Sequence, residues 1–156
     1  MIRAEFPDRE FNVEGFPDPR FMEMIDEARP DQVTLVPGDP GQSTSDHGWR
    51  IGGEGDDLLA RTIRQLKEWG LRVSVFIDAD PEIPARAAAL GADRVELYTG
   101  PYGAAHDDAD MVARELDKLA AAAEAARAAG LGLNAGHDLT LTNLPPLIAR
   151  IPFVDE

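Results

Sequence analysis

The chain has 156 residues, of which 44% are hydrophobic and 28% charged, a composition that fits one folded domain with a buried core. Its formal net charge of −14 makes nucleic acid and anionic membrane surfaces unfavourable partners, because the overall field repels phosphate groups. The absence of cysteine excludes disulfides and thiolate chemistry. Neither a membrane-spanning apolar run nor a basic-then-apolar leader is present, so we expect no transmembrane helix and no signal peptide, and the lack of cysteine fits the cytoplasm.

Apolar runs with a period of two alternate with longer helical patterns along the chain. The predicted strands lie near residues 10–14, 32–37, 72–78, 94–99 and 131–136. The predicted helices lie near residues 18–28, 55–69, 82–90, 108–129 and 143–149. Gly70 and Gly130 end two of these helices just before a strand begins, as glycine often does. This repeated β-then-α order predicts a parallel sheet with right-handed crossovers.

The predicted strands have one apolar and one polar face. In the third strand, Val73, Val75 and Ile77 alternate with Arg72 and Ser74. A five-stranded flavodoxin-like sheet is the alternative, but helices cover both of its faces and its strands should be apolar throughout. A barrel carries helices only on its outside, so we predict an α/β fold that is part of a (β/α)8 TIM barrel. A complete barrel of this kind needs about 250 residues, so residues 1–156 are expected to form a single partial domain.

Three ionisable residues interrupt these apolar runs at or near strand ends, where the chemistry of parallel α/β folds is located. Glu14 is a candidate general acid or base, or a solvated residue at the start of a loop. Glu96 lies inside a strand and needs a partner, either a ligand amine or an arginine such as Arg72 or Arg94 in a structural ion pair. His137, among small residues, is a candidate proton carrier or a capping or core histidine.

Residues 37–53 form a long loop rich in glycine and hydroxyl groups, which is typical of a lid or a phosphate clamp. A turn-rich surface loop is the alternative. The pair Asp46 and His47, and the acidic residues after His106, lack the spacing of metal ligands on a rigid element, so we predict no metal site.

Six segments of the sequence resemble the pyridoxine 5′-phosphate synthase family. In chain order they are residues 10–15, 30–37, 44–48, 73–78, 95–100 and 133–137. The resemblance implies a cytoplasmic TIM barrel, octameric in the family, that uses neither a metal nor a redox cofactor. It also implies small phosphorylated substrates, since the family condenses 1-deoxy-D-xylulose 5-phosphate with 3-amino-2-oxopropyl phosphate.

The resemblance assigns a role to individual residues of this sequence. Glu14 matches a glutamate that accepts a proton, and Glu96 matches a glutamate that stabilises charge in the transition state. His137 matches a histidine that donates a proton, and Thr44 matches a threonine that binds substrate. Asp138 stands where many members have a glycine whose backbone binds substrate, which places a carboxylate near a phosphate site.

The resemblance covers strands three to seven of the family's barrel. The family's polar residues on strands one and two, and its phosphate loop after strand eight, have no counterpart here. Residues 151–156 lie where the eighth strand should begin. We therefore expect a partial synthase, without the first two βα units and the last one, that is inactive alone. The alternative is a non-catalytic phosphosugar-binding or assembly fragment that needs a complementary chain.

Overall fold

The computed structural model describes residues 2–38, 46–53 and 55–156. Its strands are β1 (Asn12–Gly15), β2 (Gln32–Leu35), β3 (Arg72–Ile77), β4 (Arg94–Tyr98) and β5 (Gly132–Gly136). Its helices are α1 (Ile2–Glu5), α2 (Pro19–Ala28), α3 (Asp56–Glu68), α4 (Ile83–Leu90), α5 (Gly100–Ala104), α6 (Ala109–Ala128) and α7 (Leu144–Arg150). The five predicted strands and five predicted helices are therefore confirmed, and the short helices α1 and α5 were not predicted.

The helix ends follow local chemistry. Asp18 caps α2, since its carboxylate accepts a hydrogen bond from the Phe21 backbone N–H at 2.7 Å and Pro19 provides the first helical residue. Asp108 caps α6 in the same way, through the backbone N–H groups of two following residues. Helix α5 begins at Gly100 and Pro101, directly after a strand. A glycine-proline pair is more typical of a turn, which explains why the sequence did not predict this helix.

The sheet is entirely parallel, in the order β1-β2-β3-β4-β5. Each crossover therefore moves one strand further in the same direction, as in a barrel wall. A doubly wound sheet reverses direction at a switch point, so this order contradicts the flavodoxin-like alternative. Along the edge of β5 away from β4, the Asp155 N–H donates to the Leu133 carbonyl at 2.7 Å and the Ala135 N–H donates to the Glu156 carbonyl at 3.0 Å. Residues 155–156 thus continue the hydrogen bonding of the sheet beyond β5.

The two faces of the sheet differ as the sequence predicts. One face carries apolar side chains that pack beneath the helices, and all are at most 2% exposed: Val33, Leu35, Val73, Val75, Ile77, Val95, Leu97 and Leu133. Alanine side chains of α6 are buried against this core, so the small residues allow the helix to approach closely. The opposite face buries polar side chains: Gln32, Thr34, Ser74, Glu96 and Asn134. Within the described ranges, no helix has both the length and the apolar character needed to cross a membrane.

A charged network lies on the polar face at the amino-terminal ends of the strands. It consists of Glu10, Gln32, Arg72, Arg94, Asn134 and Glu156. Arg94 donates to the Asn134 side chain at 3.2 Å and to Glu156 at 3.3 Å, and Arg72 forms an ion pair with Glu10. Both arginines therefore have carboxylate partners in this layer. The sequence had suggested them as partners for Glu96, and that interpretation is wrong.

Candidate functional site

The structure brings three of the predicted site residues together at the polar face. Glu14 lies on β1 opposite Thr34, and Glu96 lies on β4 opposite Phe76. His137 follows the last residue of β5 directly. The negative charge of Glu14 raises the pKa of Glu96, and the charge of His137 lowers the pKa of Glu14, so Glu14 interacts electrostatically with both other residues. Their catalytic roles stay predictions.

Glu96 is the most buried of the three, with 8% of the residue exposed. Burial raises its pKa from 4.5 to about 7, and the carboxylates of Glu14 and Glu156 add to this rise, whereas a hydrogen bond from the Thr34 side chain opposes it. Among the described residues, no cation forms an ion pair with Glu96. The carboxyl group therefore exists in both protonation states near neutral pH.

Glu96 fits because the neighbouring strand carries a glycine. A Cβ atom at Gly136 would lie 2.5 Å from Oε1 of Glu96, well inside van der Waals contact. The absence of a side chain on β5 thus leaves room for the carboxyl group of β4. Spacing along the chain does not connect these two residues, because the contact depends on the register between the strands.

Glu14 lies at the more exposed end of the cluster. Partial burial raises its pKa, and the nearby His137 opposes that effect. Glu14 is paired with Thr34 across β1 and β2. The Asn12 amide donates a hydrogen bond to the Thr34 hydroxyl at 3.1 Å. A carboxyl group with a raised pKa next to an imidazole is a suitable candidate for proton transfer.

The turn after β5 holds His137 and Asp138 in left-handed backbone conformations, with φ of 84° and 55°. Non-glycine residues adopt this region rarely, and for Asp138 this explains the glycine that the resemblance implies at that position. Two side chains stabilise the turn. The Thr99 hydroxyl donates to the carbonyls of Gly136 and His137, and the Asn143 amide donates to the Asp138 carbonyl at 3.0 Å.

Asp138, which follows His137 in the chain, lines a cavity of about 1050 Å³. The loop after β4 and the loop after β5 line this cavity, with Tyr102, Gly103, Thr140 and Thr142 among its walls. A Cβ atom at Gly103 would lie 2.6 Å from Cβ of Asp138, so a glycine is required where these loops meet. Substrate binding by Asp138 stays a prediction.

The second half of the long loop, residues 46–53, is bound to the sheet. The Gly48 N–H donates to the Asp78 carboxylate at 2.9 Å, and the Trp49 N–H donates to the Phe76 carbonyl at 2.9 Å. The Trp49 indole N–H donates to the Leu35 carbonyl at 2.9 Å. This part of the loop therefore lies over the carboxyl ends of β2 and β3, which is the edge where the candidate site is located.

The first half of this loop contains the predicted substrate-binding residue Thr44. Residues 39–45 lie outside the described residues, so the roles of Thr44 and of the loop as a lid stay predictions. Asp46 and His47 form a side-chain pair at 2.6 Å. In the part of the chain that the structure describes, no group of three histidine, aspartate or glutamate residues is placed to hold a metal ion.

The sequence reasoning missed the immediate neighbours of His137. The ring of Phe76 is 5.1 Å from the imidazole between centroids, and the ring of Tyr98 is 5.4 Å from it. Both aromatic residues belong to the polar face by their alternation along β3 and β4. That alternation was the signal that could have placed them in the site.

Comparisons with known proteins show the family of the chain. Residues 2–156 match the family model described as pyridoxal phosphate biosynthesis protein PdxJ. The chain is 56% identical over 156 residues to the pyridoxine 5′-phosphate synthase of Brucella anthropi. This alignment covers 100% of the present chain and 63% of that protein. It is 53% identical over 158 residues to the protein of the same name from Chelativorans sp. strain BNC1, with the same coverage. The chain thus spans 63% of the length of these curated relatives.

Proposed function

Because the chain belongs to the pyridoxal phosphate biosynthesis protein PdxJ family, we propose that it carries proton-transferring and charge-stabilising residues of a pyridoxine 5′-phosphate synthase. The observation that carries the proposal is the convergence of Glu14, Glu96 and His137 on the polar face of the sheet. The proposed reaction condenses 1-deoxy-D-xylulose 5-phosphate with 3-amino-2-oxopropyl phosphate, with loss of phosphate and water.

Each of the three residues has a role that its surroundings support. The amine of one substrate and the carbonyl of the other form an imine, and ring closure then requires protons to leave carbon and to reach departing oxygen. Glu14 accepts a proton and His137 donates one, since both lie at the carboxyl ends of strands, Glu14 near the end of β1 and His137 just after β5. Glu96, buried without a cationic partner among the described residues, stabilises positive charge as it develops on nitrogen.

The proposed substrates carry phosphate groups, although the protein itself is strongly acidic. With a net charge of −14, the overall field does not attract phosphate, so local donors must hold it. The loop that contains Thr44 and the turn at Asp138 are the proposed locations of these donors. The family resemblance further supports a cytoplasmic homo-oligomer, and light scattering of the assembled protein tests the oligomeric state.

The proposal is tested by completing the chain. A second polypeptide carries the segments of the Brucella anthropi relative that lie outside its alignment with this chain, and formation of pyridoxine 5′-phosphate from the two substrates is measured. We expect turnover only in the mixture, and a loss of about 10²- to 10⁴-fold in kcat for His137→Gln. Glu23→Gln, on the exposed side of α2, is the matched control and should leave kcat unchanged.

The second candidate function is a non-catalytic phosphosugar-binding or assembly fragment. The observation that favours it is the 63% coverage of the relatives. A mixture that binds the pentulose phosphate but forms no product supports this candidate and contradicts the synthase proposal. Turnover by the chain alone at about 1 per second or faster contradicts the expectation that the remaining segments are needed.

A further inference from the structure

Three rings form a compact cluster at the carboxyl ends of β3, β4 and β5. The Phe76 and Tyr98 rings are 5.5 Å apart between centroids, and each lies within 5.4 Å of the His137 imidazole. The Tyr98 ring meets the imidazole almost edge-on, at 82°, and the Phe76 ring is tilted by 58°. These separations and angles are those of favourable aromatic pairs.

The Glu14 carboxylate interacts electrostatically with His137 but does not orient the ring through a hydrogen bond. Between residues that the structure describes, neither ring nitrogen of His137 makes a hydrogen bond. Catalytic histidines are usually oriented by a carboxylate or carbonyl that accepts a hydrogen bond from one ring nitrogen. In this cluster the aromatic contacts are the interactions that restrict the ring.

Hydrogen bonds fix the backbone of His137 but not the direction of its imidazole ring. The Thr99 N–H and hydroxyl bond the Gly136 carbonyl at 3.0 and 2.6 Å, and the same hydroxyl bonds the His137 carbonyl. These bonds hold the His137 Cα atom in its left-handed conformation, with φ of 84°. Rotation about the two side-chain torsions is then limited by the neighbouring rings.

The two aromatic residues are themselves held in place. Phe76 is completely buried in the middle of the sheet. Tyr98 folds back over Gly100, where a Cβ atom would overlap the phenol ring. Rigid neighbours of this kind can maintain an active-site geometry without polar contacts.

We propose that Phe76 and Tyr98 are positioning residues that hold the His137 imidazole in the orientation needed for proton donation. The proposal rests on the proposed function for the role of His137, but the orientation itself can be measured without turnover. The aromatic walls leave both ring nitrogens available for the substrate, whereas a carboxylate partner would occupy one of them.

The first test is nuclear magnetic resonance of the 156-residue chain, which contains three histidines. The His137 ring signals are assigned by His137→Gln. We expect nuclear Overhauser contacts between the imidazole protons and the ring protons of Phe76 and Tyr98, and chemical shifts displaced from those of His106, whose side chain is 69% exposed. Absence of these contacts, or coincidence of the two histidines' shifts, overturns the proposal.

Substitutions extend the test. Phe76→Leu and Tyr98→Leu should each move the His137 signals toward those of His106, and Tyr98→Phe should restore the displaced position because it keeps the ring. Phe153→Leu is the matched control, since Phe153 contacts Arg127 instead. Dispersed methyl signals identify folded variants. If a leucine variant unfolds, the Overhauser contacts in the unsubstituted chain decide. Unchanged His137 signals in a folded leucine variant overturn the proposal.

Kinetics of the completed protein distinguish this proposal from the proposed function. Phe76→Leu should lower kcat about 10²-fold with little change in KM, because a misplaced proton donor weakens transition-state stabilisation rather than substrate binding. Equal loss in Phe153→Leu, or a change in KM alone, contradicts the positioning role. If the unsubstituted mixture shows no turnover, the proposed function fails while the resonance measurements still decide the orientation of His137.

Discussion

Replacement of Glu96 by glutamine should stabilise the protein at neutral and alkaline pH. The carboxyl group is buried with 8% of the residue exposed, and its surroundings raise its pKa from 4.5 to about 7. The main cause is burial, and the negative charges of Glu14 and Glu156 contribute. Glutamine has nearly the same shape, can still accept the hydrogen bond from Thr34, and carries no charge to desolvate.

The magnitude follows from the two pKa values. The folded chain holds the Glu96 proton more tightly than the unfolded chain, so the stability that this group contributes is complete below pH 4.5 and is lost as the pH rises to about 7. A difference of about 2.5 between the two pKa values corresponds to roughly 3 kcal/mol of unfolding free energy. Glu96→Gln should therefore be close to neutral at pH ~4.5 and stabilising by up to roughly 3 kcal/mol above pH ~7.

Urea unfolding across this pH range, followed by circular dichroism, measures the effect. The difference between Glu96→Gln and the unsubstituted chain isolates this one group from all others that titrate. Glu23→Gln serves as the control at an exposed position of α2. A difference that does not change with pH, or a variant that is less stable at pH 8 than at pH 5 relative to the unsubstituted chain, would refute the reasoning. In the completed protein, the proposed charge-stabilising role of Glu96 predicts that the same variant loses activity despite its greater stability.

Three further substitutions and one control are measured by urea unfolding. Gly136→Ala should lower the unfolding free energy by about 1–3 kcal/mol, since its Cβ atom would lie 2.5 Å from the Glu96 carboxylate. Gly48→Ala should cost at least as much, because its Cβ atom would overlap the backbone of β3, and it should raise protease cleavage within residues 46–53. Gly53→Ala is the control for both, with open space around its Cβ, and no loss is expected. Glu156→Gln should cost about 1 kcal/mol, less at high salt, because it weakens a hydrogen bond to a charged arginine.

The fold could be predicted because apolar and polar side chains alternate along the strands and so indicate which face of the sheet is covered by helices. Val73 and Val75 are completely buried beneath helices, whereas Arg72, which alternates with them, contacts Gln32 in the charged network of the other face. Helix ends were equally predictable where one residue decides them, as at Gly70 and Gly130, which adopt positive φ just after α3 and α6. Helix α5 was missed because Gly100 and Pro101 favour a turn locally, and only the packing of the following residues makes them helical.

The candidate site was predictable in its ionisable residues but not in its contacts. The sequence could select Glu14, Glu96 and His137 because each is an ionisable residue at or near the carboxyl end of a strand, where functional residues of parallel sheets are located. The aromatic neighbours of His137 depend on strand register and on the left-handed turn at residues 137–138. Neither property can be read from spacing along the chain. The need for glycine at positions such as Gly136 could not be predicted either, because it depends on a side chain of the adjacent strand.

The environment of Glu96 shows why pairing is harder to predict than position. Arg94 precedes Glu96 by two residues on the same face of β4, so the sequence suggested an ion pair between them. In the sheet this spacing separates the two side chains by about 6.6 Å along the strand. The guanidinium instead lies beside Glu156 and Asn134 at the amino-terminal end. The arginine is thus neutralised in one layer, and among the described residues no cation pairs with the carboxyl group in the next. Burial then raises the pKa of Glu96 to about 7, and the proposed role of this group, stabilising positive charge on a bound substrate, rests on that environment.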